Sequence, residues 1–351
     1  GEDYVFVGPW LLNNPESDRA LEESPGFEAF TESCRELGVP VRVARWRSPS
    51  SPRTVLVEFS GLFERKDDLL KRLWEDYGVD SIMGGWDYHE PVVFGHAAGL
   101  VIQRWFEEYV APRRGVAVAQ FHEWMTGAGL LQVKRGAPAV GTVFTTHATM
   151  LGRALSATGA TPEEGLAGRT PAEAAEAIGV RSKHSMERVC AREADVYTTV
   201  SELTADEAEL FFERRPQPVL PNGIDLEVID ELCGGVSGAE ARAAVADLAH
   251  RFLGEPVDDA VFLMISGRYE FHNKGIDVLL EAAARLRERS GRKLVVFLTV
   301  PAGQSGICRS VQERLAAPLE SISGSLGVST HNLNDRDADP IQQACERLGL
   351  D

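Results

Sequence analysis

Residues 266–275 read Ser-Gly-Arg-Tyr-Glu-Phe-His-Asn-Lys-Gly, and this stretch decides how the chain is organised. Before it, Val-Phe-Leu-Met-Ile (261–265) predicts a buried strand. After it, residues 276–289 space their apolar side chains for an amphipathic helix. A loop that leaves the carboxyl end of a parallel strand and opens a helix is where α/β proteins bind phosphates. Backbone N–H groups and the positive helix end are expected to favour an anion there. Arg268 and Lys274 add two cations, and Gly267 and Gly275 let the backbone approach a ligand. Fixed cations beside a diphosphate stabilise it as a leaving group. The competing reading is a surface loop with two solvated cations.

Working outward, apolar runs alternate with helical periodicity, which predicts α/β layering. Strands are expected at 4–8, 41–46, 54–59, 116–121, 140–147 and 196–201, and helices at 26–37, 63–77, 92–110, 125–133, 184–194 and 202–214. Ser201 with Glu202 and Thr204 marks a helix start. Pro-Val-Leu-Pro-Asn-Gly-Ile-Asp (218–225) predicts a turn or hinge, placing a boundary between a first domain, 1–221, and a second, 222–351. Residues 157–182, rich in Ala, Gly, Glu and Thr, predict a helical insertion or a mobile flap in the first domain. In the second, strands are expected near 260–266 and 293–299, with 327–332 a third candidate, and helices near 238–252, 275–289 and 308–320. Two or three strands do not complete a doubly wound sheet, so the chain is expected to belong to a longer protein.

The 351 residues are 44% hydrophobic and 25% charged, as in folded globular proteins. Six Lys and thirty Arg stand against 53 acidic residues, for a net charge of −17, which argues against general nucleic-acid binding. A small anionic ligand needs only a few local cations. Five scattered Cys without a CxxC predict reduced, mostly buried thiols in a cytoplasmic protein. No apolar run approaches the roughly 18 residues of a membrane helix, and no membrane partner is expected.

Three polar clusters fall at expected strand ends. They are His122-Glu123-Trp124, the run Thr145-Thr146-His147-Ala148-Thr149 with Arg153, and Arg268 with Lys274. On parallel sheets all three would lie on the carboxyl edge, the ligand-binding side of such sheets. His122, Glu123 and His147 are residue types that zinc or iron accepts, but their spacing is not that of a metal motif, and no metal is expected. Neither GxxxxGK[ST], GxGxxG after a first strand, nor GxSxG occurs. Trp86, Tyr88, Trp105 and Phe106 are candidate sugar platforms, with core packing the stronger expectation for the last two.

His-Glu-Trp-Met-Thr-Gly (122–127), Thr-Thr-His-Ala-Thr-Met-Leu-Gly-Arg (145–153), Pro-Asn-Gly-Ile-Asp (221–225) and Gly-Arg-Tyr-Glu-x₃-Lys-Gly (267–275) together resemble the eukaryotic-type glycogen synthases. The resemblance runs from about residue 4 to 303 and returns at 325–339. It implies a GT-B fold, two Rossmann-like domains facing across a cleft, the second incomplete here. It also implies retaining transfer of glucose from a nucleotide-glucose donor, UDP-glucose above all, to the non-reducing end of an α-1,4-glucan. By resemblance Arg268 and Lys274 bind the donor diphosphate and His147 lies beside the transferred glucose. Arg153 lines the cleft, His122 and Glu123 orient the acceptor or support His147, and Gly267, Asn273 and Gly275 belong to the donor loop. No cofactor is implied, and a homo-oligomer is compatible with the family. The alternatives are a GT-B enzyme with another donor or acceptor, and a non-catalytic glucan- or nucleotide-binding module.

The sequence also departs from the family. A carboxyl-terminal pair of glutamates, an amino-terminal glycine-rich loop and an arginine-rich regulatory helix have no match, and Lys183-His184-Ser185 differs from the family's sequence before Met186-Glu187-Arg188. The segment alone is therefore expected to be inactive even where the parent protein is active.

Overall fold

The computed structural model describes residues 4–11, 18–48, 50–289 and 291–350. The chain divides into two compact units, Gly1–Leu155 with Ala160–Asn222, and Gly223–Asp351 with Ser156–Gly159.

The first unit contains two sheets. Strands β1 (Val5–Pro9), β2 (Leu21–Glu23), β3 (Val41–Trp46) and β4 (Arg53–Val57) form one, in the order β1-β4-β3-β2. Only β1 and β4 are parallel; β3 runs antiparallel to β4, and β2 antiparallel to β3. This sheet is therefore mixed, and it carries none of the three polar clusters. The six residues from 47 to 52 are too few for a crossover, so β3 and β4 must turn back on each other.

Strands β5 (Val118–His122), β6 (Gly141–Thr146) and β7 (Val196–Thr199) form a wholly parallel sheet in sequence order. Helix Gly127–Gly136 crosses from β5 to β6, and helix Met150–Ala157 follows β6. Helix Trp86–Trp105 lies against Gly127–Gly136 at glycine contacts, since a Cβ on Gly129 would come 2.5 Å from the Gly95 carbonyl oxygen. Phe121, Leu130, Leu131, Phe144, Leu151, Met186, Tyr197 and Phe211 form the core around this sheet.

The 157–182 stretch is helical and packed. Thr161 and Thr170 each cap a short helix, Pro162–Leu166 and Pro171–Ala177, with Pro at the first position and Glu three residues after the cap. Ala174 and Ala175 of the second are fully buried against the core. Ser201 caps helix Glu202–Phe212 by accepting the Thr204 N–H, as its sequence predicts. The start of 218–225 is tied to β7, because Gln217 and Leu220 donate their N–H groups to the Tyr197 and Thr199 carbonyls at 2.7 Å.

In the second unit β8 (Val261–Ser266) and β9 (Leu294–Thr299) pair in parallel, joined by helix Ile276–Arg289. Residues 331–333 are a strand, β11 (His331–Leu333). It pairs antiparallel with β10 (Gln304–Ile307) and does not extend the parallel sheet. Helices Leu226–Cys233, Gly238–Leu253, Arg309–Ala316 and Pro340–Leu348 complete the unit. Cys34, Cys190 and Cys345 are buried and Cys233 is exposed, all as free thiols. Among the described residues no helix is long and apolar enough to cross a membrane.

Candidate functional site

Two groups of residues sit at carboxyl ends of parallel strands, one in each unit. In the first unit β5 delivers His122 and Glu123, and β6 delivers His147, one residue beyond its end. The His122 Nδ1 and His147 Nε2 atoms lie 2.9 Å apart, with stacked rings. One of those nitrogens donates and the other accepts. Burial, then the neighbouring His147, lowers the His122 pKa. Thr126 Oγ1 donates to the His122 carbonyl at 2.8 Å and fixes the turn from below.

Glu123 has φ +63°, a conformation rare for a residue with a Cβ. Its N–H donates to the Thr145 carbonyl, and its Oε1 accepts the His147 and Ala148 N–H groups at 2.9 and 3.2 Å. Glu123 therefore holds the backbone that presents His147. That places it as a support for His147 rather than a group directed at a ligand.

Two further glutamates hold the same turn. Glu187, fully buried on helix Arg181–Glu193, accepts the Met150 N–H with both oxygens, at 3.2 and 3.0 Å. Glu207 accepts from the Thr149 hydroxyl, and Thr149 Oγ1 in turn accepts the Gly152 N–H at 3.0 Å. Burial raises the pKa of both carboxyls, and Arg153 acts on both in the opposite sense. Arg153, half-buried, thus belongs to a carboxylate cluster behind His147. The sequence reading missed Glu187 and Glu207. The available signal was position, since Glu187 falls among Met186, Cys190 and Ala191 on the helix stripe that faces the core.

Below the turn, threonines link the strands. Gln120 donates to Thr145 Oγ1, Thr145 bonds Thr198 at 2.8 Å, and Thr199 donates to the Thr146 carbonyl at 2.7 Å. Of the aromatic candidates, Tyr88 is buried and stacks on Trp124, and Trp105 packs on Phe27 and Phe30. Phe106 is partly buried against the core, whereas Trp86 remains exposed and stacks on Phe63 at 4.9 Å.

The second group lies in the other unit. Gly267 follows β8, and the loop closes at Gly275, whose φ of +67° suits a residue without a Cβ. Arg268 is largely exposed and pairs with Glu270 at 3.0 Å. Lys274 is exposed, and its aliphatic stem lies 3.8 Å from where a Gly267 Cβ would stand, an ordinary contact distance. Asn273 is half-buried in the same loop. The Tyr269 hydroxyl donates to Asp339 at 2.6 Å and anchors the loop to the start of helix Pro340–Leu348.

One expectation for this loop fails. The first N–H groups of helix Ile276–Arg289 are already used: Ile276 and Asp277 donate to the Phe271 carbonyl, and Val278 donates to its neighbour Asp277. The Lys274 and Gly275 N–H groups donate to the Glu270 and His272 carbonyls. Attraction for an anion here rests on the Arg268 and Lys274 side chains rather than on those amides.

The family profile described as glycogen synthase matches residues 1–317. This chain belongs to the glycogen synthase family. A glycogen [starch] synthase of Neurospora crassa is 31% identical over 99% of this chain and 52% of its own length. The liver glycogen [starch] synthase of Mus musculus is 31% identical over 86% of this chain and 44% of its own. This member of the family therefore spans about half the length of the curated relatives it matches. A solved catalytic domain of starch synthase IV from Arabidopsis thaliana, bound to ADP and acarbose, superposes loosely, with a TM-score of 0.42 and 12% identity over 89% of this chain and 70% of that one.

Proposed function

We propose that the protein is a retaining glucosyltransferase of the GT-B kind. It would move glucose from a nucleotide-glucose donor, UDP-glucose in preference, to the non-reducing end of an α-1,4-glucan. The observation that carries this reading is the 267–275 loop, in a chain of the glycogen synthase family. The loop is anchored by Tyr269 and closed by Gly275, and it exposes Arg268 and Lys274 at the end of a parallel strand. In this reading the two cations neutralise the donor diphosphate as it leaves. His147, held by Glu123 and paired with His122, bonds a hydroxyl of the transferred sugar. The acceptor attacks from the face the diphosphate leaves, and the leaving group helps to take its proton. The reading needs no metal, because the guanidinium and ammonium supply the charge and Glu123 is committed to backbone N–H groups.

The test is release of UDP from UDP-glucose with glycogen as acceptor, using the full-length protein. Lys274→Ala is expected to lower turnover by roughly 10²-fold or more with the fold intact. Arg268→Lys should fail as well, since a point charge does not reproduce a guanidinium fork. Near-native turnover in Lys274→Ala would remove the diphosphate role. Binding of UDP-glucose and glycogen without turnover in the intact protein would favour the non-catalytic module.

A further inference from the structure

The first unit carries a cavity of about 260 Å³, away from the strand ends described above. Trp74 and Tyr77, near the end of helix Lys66–Tyr77, form one wall; Arg181, His184, Arg188 and Arg192 of helix Arg181–Glu193 form the other. Spacings of three and four residues put those four on one helix face. His184 lies within the sequence departure at 183–185, and nothing in the proposed transfer uses it.

His184 is 98% buried, and among the described residues neither ring nitrogen has a hydrogen-bond partner. Burial, then the charge of Arg188, pushes its pKa down to about 4, so at neutral pH it carries one N–H donor and one bare acceptor. A histidine whose only role was to fill space beside Phe212 leaves both polar atoms unmatched, an arrangement that folded proteins avoid. The cations around it are unevenly engaged. Arg181 is held by Asp80 at 2.7 Å and by Glu176. Arg192 pairs through Nε with Glu193 and donates Nη2 to the Tyr77 carbonyl at 3.3 Å. Arg188 pairs with an exposed Glu213, at 3.9 Å. Exposed pairs of that kind are weak and readily exchanged for a better anion. Three guanidiniums thus line the cavity against one carboxylate, Asp80.

We propose that this cavity is a binding site for a small phosphate-bearing anion. Arg188 and Arg192 provide charge-assisted donors, and His184, neutral and buried behind them, adds no charge to the wall. Free phosphate and the phosphoryl group of a small ester present the same oxygens. The cavity is of small-molecule size, and Trp74 and Tyr77 offer a flat wall to an organic portion.

The experiment is calorimetric titration of the full-length protein with inorganic phosphate and, separately, glycerol 3-phosphate, at constant ionic strength. It is run in an Arg268→Ala, Lys274→Ala background so that the donor loop does not contribute. Saturable binding at one equivalent is expected. Arg188→Gln and Arg192→Gln should each weaken it about tenfold or more, the cost of one charge-assisted bond. Arg309→Gln, an equal loss of charge in the other unit, should leave it unchanged. Equal affinity for both probes identifies free phosphate as sufficient, and tighter ester binding assigns the aromatic wall to the organic part; either supports the site. Absence of saturable binding by both probes, or binding indifferent to Arg188→Gln and Arg192→Gln, overturns it.

Discussion

Gly129→Ala tests the contact that sets the position of the His122 turn. An added Cβ would lie 2.5 Å from the Gly95 carbonyl oxygen and 3.1 Å from a Phe121 ring carbon, against 3.4–4 Å for ordinary contact. The carbonyl is backbone inside helix Trp86–Trp105 and cannot rotate aside, so the two helices must separate by several tenths of an ångström. Overpacking of this kind costs about 1–3 kcal/mol, and the better helix propensity of Ala returns up to about 1 kcal/mol. Because the clash is with backbone, a net loss of about 2 kcal/mol is expected. Gly61→Ala is the control in the same unit: its Cβ would meet nothing closer than 3.9 Å, so a gain of about 0.4–1 kcal/mol is expected. Urea unfolding followed by hydrogen exchange in residues 86–105 and 127–136 reports the stability of this unit. Glucosyl transfer should fall along with it, because helix Gly127–Gly136 begins directly after the turn bearing His122 and Glu123. A Gly129→Ala protein as stable as the native one would refute the helix-contact argument.

Three further outcomes are expected. Burial raises the Glu187 pKa above its ordinary 4.5, so its contribution to stability is full below that value and lost as pH rises through the folded pKa. Glu187→Gln keeps an acceptor for Met150 and should remove a pH dependence of at most about 1.4 kcal/mol per unit, read from urea midpoints above pH 4.5; an unchanged slope counts against a buried, reluctant carboxylate. His147→Ala should lower kcat while UDP affinity changes little, and the reverse pattern would contradict its place beside the sugar. Transfer should survive EDTA, and full dependence on Mg²⁺ or Mn²⁺ would reopen a ligand role for His122 and Glu123.

Much of the fold was legible because period and length agree along the chain. β3 was predicted at its observed bounds, and Ser201 marked its helix from cap chemistry alone. Helix Trp86–Trp105 was expected at 92–110; it starts earlier and runs through Pro91, packed against Gly127–Gly136. β10 and β11 are too short, at four and three residues, to show a period. The direction of β3 was open to inference from the short 47–52 link, which excludes a parallel crossover. At the candidate site, motifs exposed the residues that face outward, His122, His147, Arg268 and Lys274. They did not expose Glu187 and Glu207, because a glutamate on a helix ordinarily belongs to the solvated face.

The two strand-end groups handle negative charge in opposite ways. At Met150–Ala157 the protein fills its own helix start. Glu187 takes the first N–H, and Thr149, itself bonded to Glu207, takes the Gly152 N–H. That helix end offers an outside anion little, and the carboxylates serve to hold His147. At Ile276–Arg289 the helix start is also satisfied, by Phe271 and Asp277, but the loop before it keeps two exposed cations, Lys274 and Arg268, the latter paired with the half-buried Glu270. The charge available to a diphosphate there is side-chain charge. The dependence on Arg268 and Lys274 should accordingly be steep. With both replaced by alanine, the loop amides named above cannot substitute, and UDP affinity should become nearly independent of salt. A double variant that retained the native salt dependence would place the diphosphate elsewhere.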